Sequence, residues 1–285
     1  MKNKKMLALA IMATLTTWGN SYSYALAAPP APTEPIDYQT SLEDINWAVA
    51  PTNTPIVNVI NNGDVTLTGS NKITSANDQW AAHGIMVQNN GKVAVKETTD
   101  TTIVVKGNGS YGVYATSGGT MMNNGELNIV MDYTGWNGNT YAIAAQDKGE
   151  VILGAGSKTT ITIAGGETHG LYAAADGLIT NDGSLKITTS NTTEWGASAI
   201  VADQGRIVLG DKSNTIIATA GPGGKGLWAA NGGAIIGSGQ LDIESSGQSG
   251  TGIEASGNGE ISFMDGSEVN VITTGANASG VLAEG

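Results

Sequence analysis

One short phrase returns along the chain at a fixed interval, and no other feature restricts the fold as much. It reads YGVYATSGG from Tyr111, HGLYAAADG from His169 and GLWAANGG from Gly226. Aligned on the residue that opens it, the phrase starts at Ile56, Gly84, Gly112, Ala142, Gly170, Ser198, Gly226, Gly252 and Gly280. The intervals are 28, 28, 30, 28, 28, 28, 26 and 28 residues. Seven residues after each of the first eight openings stands a glycine: Gly63, Gly91, Gly119, Gly149, Gly177, Gly205, Gly233 and Gly259. Glycine makes up 41 of 285 residues, so eight coincidences in eight are not chance. A period of this length marks a repeat architecture.

The neighbouring columns say what is repeated. One residue after the opening come Val57, Ile85, Val113, Ile143, Leu171, Ala199, Leu227, Ile253 and Val281. Three after come Val59, Val87, Ala115, Ala145, Ala173, Val201, Ala229, Ala255 and Ala283, and nine after come Val65, Val93, Met121, Val151, Ile179, Ile207, Ile235 and Ile261. Between the first two columns the residue varies freely: Asn58, Met86, Tyr114, Ala144, Tyr172, Ile200, Trp228, Glu254. Apolar positions two apart around a variable one are the signature of a strand with one buried face. A further apolar pair follows, as in Leu127/Ile129, Ile161/Ile163, Leu185/Ile187, Leu241/Ile243 and Val269/Val271. Each unit therefore holds three short strands separated by Gly, Asn, Asp and Ser turns. The repeated glycine is expected to supply a positive-φ corner. Units opening at Gly112, Gly170 and Gly226 carry Gly125, Gly183 and Gly239, whereas the units between have a longer second connection, which points to duplication of a two-unit block near 56 residues.

Three strands per unit with apolar residues in fixed columns predict an all-β, right-handed parallel β-helix with coils of about 28 residues. The inward columns stack as ladders and each coil pairs with those above and below. Eight coils at a spacing of ~4.8 Å make a rod of roughly 40 Å. A β-propeller is the main rival. Its blades of about 40 to 50 residues match the columns less well, and no Trp-Asp or kelch-like signature appears. The chain stops at Gly285, six residues into a ninth coil. An uncapped solenoid end exposes apolar surface, so this reading expects the natural protein to continue.

The rest of the chain divides around the repeat. Residues 1–27 read as a secretory signal: Lys2, Lys4 and Lys5 precede the apolar run Met6 to Leu15, and Ala25-Leu26-Ala27 is an A-x-A cleavage site after Ala27. Residues 28–55 hold six of the seven prolines and read as an extended linker, with a short ordered piece around Leu42 to Val49. Residues 56–285 are the repeat domain. The net charge is −12, and cleavage removes three lysines and no acid. Such a chain repels nucleic acid and anionic lipid. Cysteine is absent, so an exported chain of this kind relies on packing and backbone hydrogen bonds rather than disulfides.

A signal segment, no cysteine, an acidic Gly-rich chain and coils marked by GLYAAADG and NDGSLKI phrases together resemble the pertactin-like passenger domain of a bacterial autotransporter. The resemblance covers Ile56 to Gly285, without the family's C-terminal barrel. It implies export, passage through an outer-membrane β-barrel translocator, and a place on the outer membrane, at the cell surface or in the medium. The expected partners are the export machinery, that barrel, and a host protein or carbohydrate ligand. Two-partner-secreted haemagglutinin-like adhesins are similar solenoids, but the Pro-rich start does not look like their secretion domain.

Few residues suggest chemistry. His83 and His169 share the column before the opening, three coils and about 14 Å apart, too far for a common metal. Tyr111 and Tyr141 occupy that column between them. Tyr114, Tyr172 and Trp228 share the variable outward column, two coils or roughly 10 Å apart. They form a possible surface contact stripe, able to stack on sugar rings or a protein partner. Trp80, Trp136 and Trp195 all fall in the loop before an opening and can gather along one edge. The single Arg206 and the acids Asp176, Asp182 and Asp203 show no convergence towards a lyase or hydrolase site, and no nucleophile, phosphate-loop or zinc motif is present. The sequence thus points to a structural and adhesive rod, with no enzyme activity and no cofactor. The alternative is a secreted β-helix that binds or cleaves polysaccharide.

Overall fold

The computed structural model describes residues 34–48, 55–75, 83–132, 140–190 and 196–284. The signal segment with Ala27, the prolines Pro29, Pro30, Pro32 and Pro51, and the tryptophans Trp80, Trp136 and Trp195 lie outside the described residues. Among the described residues there is no helix, and the strands form three parallel sheets of nine strands each. Strands β1 (Gln39–Glu43), β2 (Asn46–Ala48) and β3 (Val57–Val59) begin the first, second and third sheet. Each then pairs with the strand three places on, namely Asp64–Thr68, Ser70–Thr74 and Ile85–Val87. This continues to the last rung. The chain is a parallel β-solenoid of about eight coils of roughly 28 residues, as the columns predict.

The core is a set of ladders along the rod. Val57, Ile85, Val113, Ile143 and Leu171 are wholly buried, and so are Val59, Val87, Ala115, Ala145 and Ala173 in the next ladder. Each fully buried Leu or Ile stabilises the fold by about 1.5–3 kcal/mol, and each rung's side chains are covered by the rungs on either side.

Corners alternate between coils. The short second corners at Gly125 and Gly183 are held by buried Asn123 and Asn181, whose side-chain oxygens accept the backbone N–H of Gly125 at 3.1 Å and of Gly183 at 3.2 Å. Their amides donate across to Thr159 and Thr215 of the next coil, both at 3.2 Å. The long corners have Leu153 or Leu209 in that column and close on the main chain, Ser157 N–H to Gly154 at 2.9 Å and Ser213 N–H to Gly210 at 3.0 Å. The apolar pairs of the second sheet accordingly do not all share a column. Leu127 lies opposite Thr159, and Ile129 opposite Ile161.

Three expectations need correction. The corner glycines are not the positive-φ residues. Left-handed backbone falls on the two residues before them, Asn61 and Asn62, Asn89 and Asn90, or Ala175 and Asp176, the φ signs of a type I′ turn. The glycine follows the turn because a Cβ would strike the carbonyl of the preceding coil: Val59 O for Gly91, Ala145 O for Gly177, Ala202 O for Gly233. Second, the coil at Ser198 is shifted by one. Ser198 pairs with His169, so Ile200 and Ala202 face inward beside Leu171 and Ala173, and Val201 takes the outward column. An extra residue before this strand is offset by a shorter first corner, where only Gln204 has positive φ, and the interval hides both. Third, the solenoid begins before Ile56. β1 and β2 lie in the same sheets as the repeats, and Ile36, Ile45 and Trp47 are buried in the core.

One interior ladder turns polar along the rod. Val105, Met131 and Ile163 give way in register to Thr189, Thr219 and Ser245. The last three hydroxyls are buried and have no hydrogen-bond partner. Removing an unpartnered buried hydroxyl without changing shape is favourable. Thr219→Val is therefore expected to raise the unfolding free energy by about 1 kcal/mol, read as a higher urea midpoint at unchanged slope.

Candidate binding face on the third sheet

The outer face of the third sheet is where large side chains gather. The alternation of inward and outward residues slips once per coil. At Gly112 and Val113, and at Ala142 and Ile143, two successive residues face the core. Residues three apart in sequence, such as Tyr111 and Tyr114, thus both face outward. The glycine at this slip makes room: a Cβ on Gly112 would come 2.6 Å from Ala142 O and 2.8 Å from the Ile129 side chain.

Two outward columns result. Tyr114, Ala144, Tyr172, Val201 and Trp228 follow one another in register, as the stripe was read except that Val201 replaces Ile200. Beside them run His83, Tyr111, Tyr141, His169, Ser198 and Lys225. The rings interlock. Ring centroids lie 4.7 Å apart for His83–Tyr111, 5.2 Å for Tyr111–Tyr141 and 5.4 Å for Tyr141–His169. Tyr114 stacks on Tyr111 at 4.3 Å and Tyr172 on Tyr141 at 4.2 Å. Stacked and edge-on pairs at these separations contribute about 0.5–1.5 kcal/mol each beyond their buried area.

The polar tips are tied down. The Tyr114 hydroxyl donates to Gln146 Oε1 at 2.9 Å, and the Tyr172 hydroxyl donates to Asp203 Oδ2 at 3.3 Å. Asp203 also accepts from Asn231 at 2.9 Å, and the Trp228 indole N–H donates to Ser256 at 3.1 Å. The His83 Nδ1 accepts the backbone N–H of Tyr111 at 3.2 Å, whereas the Nδ1 of His169 is buried without a partner.

Beyond His169 the ring column breaks at Ser198 and is followed by a charged group. Lys225 lies 3.8 Å over the Trp228 ring and pairs with Glu254 at 2.8 Å. The Lys225 and Glu254 side chains are only 22% and 9% exposed, so this is a largely desolvated ion pair. A groove of about 930 Å³ opens here, lined among others by His169, Ser198, Lys225, Trp228, Thr251 and Glu254. Sequence reasoning found Trp228 but not Lys225, Ser198 or Glu254. The available signal was the end of a ring column at Ser198.

The other named residues lie apart. Asp176 lines a shallow depression with Asp147, Lys148 and Gln204 at the first corner, Asp182 sits at a second corner, and Arg206 opens an exposed strand end of the first sheet. Among the described residues, no three His, Cys, Asp or Glu side chains stand where they could hold a metal ion. Nor is any helix among them long and apolar enough to cross a membrane.

Burial sets the titration of this face. It lowers His83 from 6.5 to about 4, and it lowers His169 to about 4 with help from the Lys225 charge. Burial, then the neighbouring Tyr114 and Tyr172, raises Tyr111 from 10.0 to about 12, and burial raises Tyr141 as well. Between pH 6.5 and 4 the unfolded chain binds protons that the folded histidines refuse, so stability falls as pH falls through that window. Above pH 10 the unfolded tyrosines ionise while Tyr111 does not, so stability falls again. Urea unfolding at pH 4.5 is expected to give roughly 2 kcal/mol less from His83 than at pH 7. The His83→Asn variant, which keeps an acceptor for the Tyr111 N–H, should lose that dependence.

Comparison with protein-family models, curated proteins and solved structures finds no match to this chain.

Proposed function

We propose that the chain is an exported, non-catalytic rod displayed on a bacterial outer surface or released from it, the passenger part of an autotransporter. One observation carries this reading. Among the described residues every strand pairs only with the strands three places before and after it, so this part of the fold is assembled from neighbour-on-neighbour contacts. Such a chain can emerge end first through a narrow barrel and fold rung by rung as it appears. The absence of cysteine suits the same route, since no disulfide has to be kept open during passage. The Lys-rich, apolar N-terminal stretch ending at Ala27 supplies the export signal on this reading. The partners are the export machinery and an outer-membrane β-barrel, and the aromatic outer face of the third sheet is the surface offered for adhesion.

Antibodies raised against folded residues 34–284 test the proposal on cells that make the protein. Staining of intact cells, with a mature N-terminus at Ala28, is the expected result. Signal confined to permeabilised cells would contradict it.

A further inference from the structure

We propose that the groove between His169 and Trp228 is a binding site for a neutral sugar ring. The proposal deepens the adhesive part of the reading above and does not depend on how the chain reaches the surface.

The site lies where the described ring column ends, at Ser198. From His83 to His169 every rung contributes a ring, in contact with the next at 4.7 to 5.4 Å between centroids. The following rung has Ser198 and Val201, and the large side chains resume with Lys225 and Trp228. Two rungs separate His169 from Lys225, about 10 Å along the rod. The groove of about 930 Å³ runs over this interval and on past Trp228 to Thr251, Glu254 and Leu282, with Ser198 towards one end.

The chemistry of the lining selects the occupant. His169, and the part of the Trp228 ring that the Lys225 ammonium leaves uncovered, offer ring surface for the apolar C–H face of a sugar. Ser198, Thr251, Lys225 and Glu254 offer donors and acceptors to its hydroxyls. His169 supplies a further acceptor that nothing fills. At the equivalent place His83 Nδ1 accepts the Tyr111 N–H at 3.2 Å, but where Ser198 stands the bond is missing and the His169 Nδ1 is buried and unpartnered. Burial also keeps His169 neutral near pH 7, so the nitrogen lone pair stays available.

Charge excludes the other small ligands. The ion pair Lys225–Glu254 is neutral, and the whole chain carries −12. A phosphate or uronate meets repulsion. A cationic head would seek the Trp228 face, but the Lys225 ammonium already stands 3.8 Å from that ring.

The test titrates the full chain with neutral hexose and N-acetylhexosamine oligosaccharides, and with a uronic acid oligosaccharide and an unstructured peptide alongside. It is followed by calorimetry and tryptophan fluorescence. At least one neutral glycan is expected to bind with Kd of about 1 mM or tighter. Trp228→Ala should weaken it about tenfold or more, and Tyr114→Ala, outside the groove, should leave it unchanged. Ser198→Tyr closes the gap with the residue type that the column carries at Tyr111 and Tyr141. It should abolish binding while the urea midpoint stays at or above that of the unaltered chain. Binding that survives Ser198→Tyr, equal binding of the uronate, binding of the peptide alone, or no binding of any neutral glycan would overturn the site. None of these results bears on surface display, which the antibody experiment reads separately.

Discussion

Gly177→Ala is expected to cost about 3–4 kcal/mol of unfolding free energy, near the upper end for a single methyl group. The added carbon would overlap the carbonyl of Ala145 in the preceding coil and crowd the Gln146 nitrogen. All three atoms are backbone, so no side-chain rotation relieves the clash. Ala145 N and O are also part of the hydrogen-bonded ladder that joins the coils, and Leu178 N–H bonds to Gly149 O at 3.0 Å one residue beyond the corner. Making room therefore means parting two rungs where they are paired. Gly156→Ala is the matched control. Its nearest neighbour is Asn124 O at 4.0 Å, and its backbone is not left-handed. That change should be neutral or slightly stabilising. Urea midpoints of the two variants measure the difference. A Gly177→Ala protein as stable as the Gly156→Ala one would show that the corner glycines do not serve close approach between coils.

Asn181→Ala is the second large effect, at about 3 kcal/mol. Asn181 is wholly buried, and its side chain satisfies the Gly183 N–H at 3.2 Å and the Thr215 hydroxyl at 3.2 Å. Truncation leaves a cavity and strands both partners away from water. The flanking coils have Leu153 and Leu209 in register with this position, so the column itself welcomes an apolar residue. At this short corner the asparagine stands in for the main-chain closure that Ser157 and Ser213 give the long ones, whereas the short corner at Gly239 has Gly237 in the column, against the Phe263 ring. Thr215→Val alone should cost about 1 kcal/mol, and the double variant should lose less than the two single changes together, by about 0.5–1.5 kcal/mol. Strict additivity would mean that the two side chains do not act as a pair.

How much of this was legible in the sequence depended on whether a feature left a column. The inward ladders did, because a solenoid places like residues above one another and the repeat then displays them. Glycine at the first corner was legible as a requirement, but not its reason. A positive φ and a close backbone approach both demand the loss of Cβ, and only coordinates separate them. The shift at Ser198 was hidden because one residue gained before the strand was cancelled by one lost in the next corner, leaving the glycine interval intact. The first rung was hidden because β1 and β2 are joined through Asp44, at φ 50, without the glycine phrase that marks later coils. The contact stripe Tyr114, Tyr172 and Trp228 was visible as a column. Its partners Tyr111, Tyr141 and His169 were read as a separate column, since plain alternation puts residues three apart on opposite faces. The slip at the opening position brings them onto one face; Glu254 follows Trp228 in the outward column, but nothing in the sequence pairs it with Lys225.

The rod itself is tested most directly by distances along one outward column. Thr66, Thr180, Val208, Ile236 and Ser262 occupy the same column of the first sheet. The chain has no cysteine, so pairs of spin labels can be placed on it cleanly. With one label at Thr66 and the other at Thr180, Val208, Ile236 or Ser262, pulsed dipolar spectroscopy should give roughly 19, 24, 29 and 34 Å. That is a steady rise of ~4.8 Å per coil. Distances that rise and then fall, as they would around a closed ring of blades, would contradict the solenoid and everything built on it.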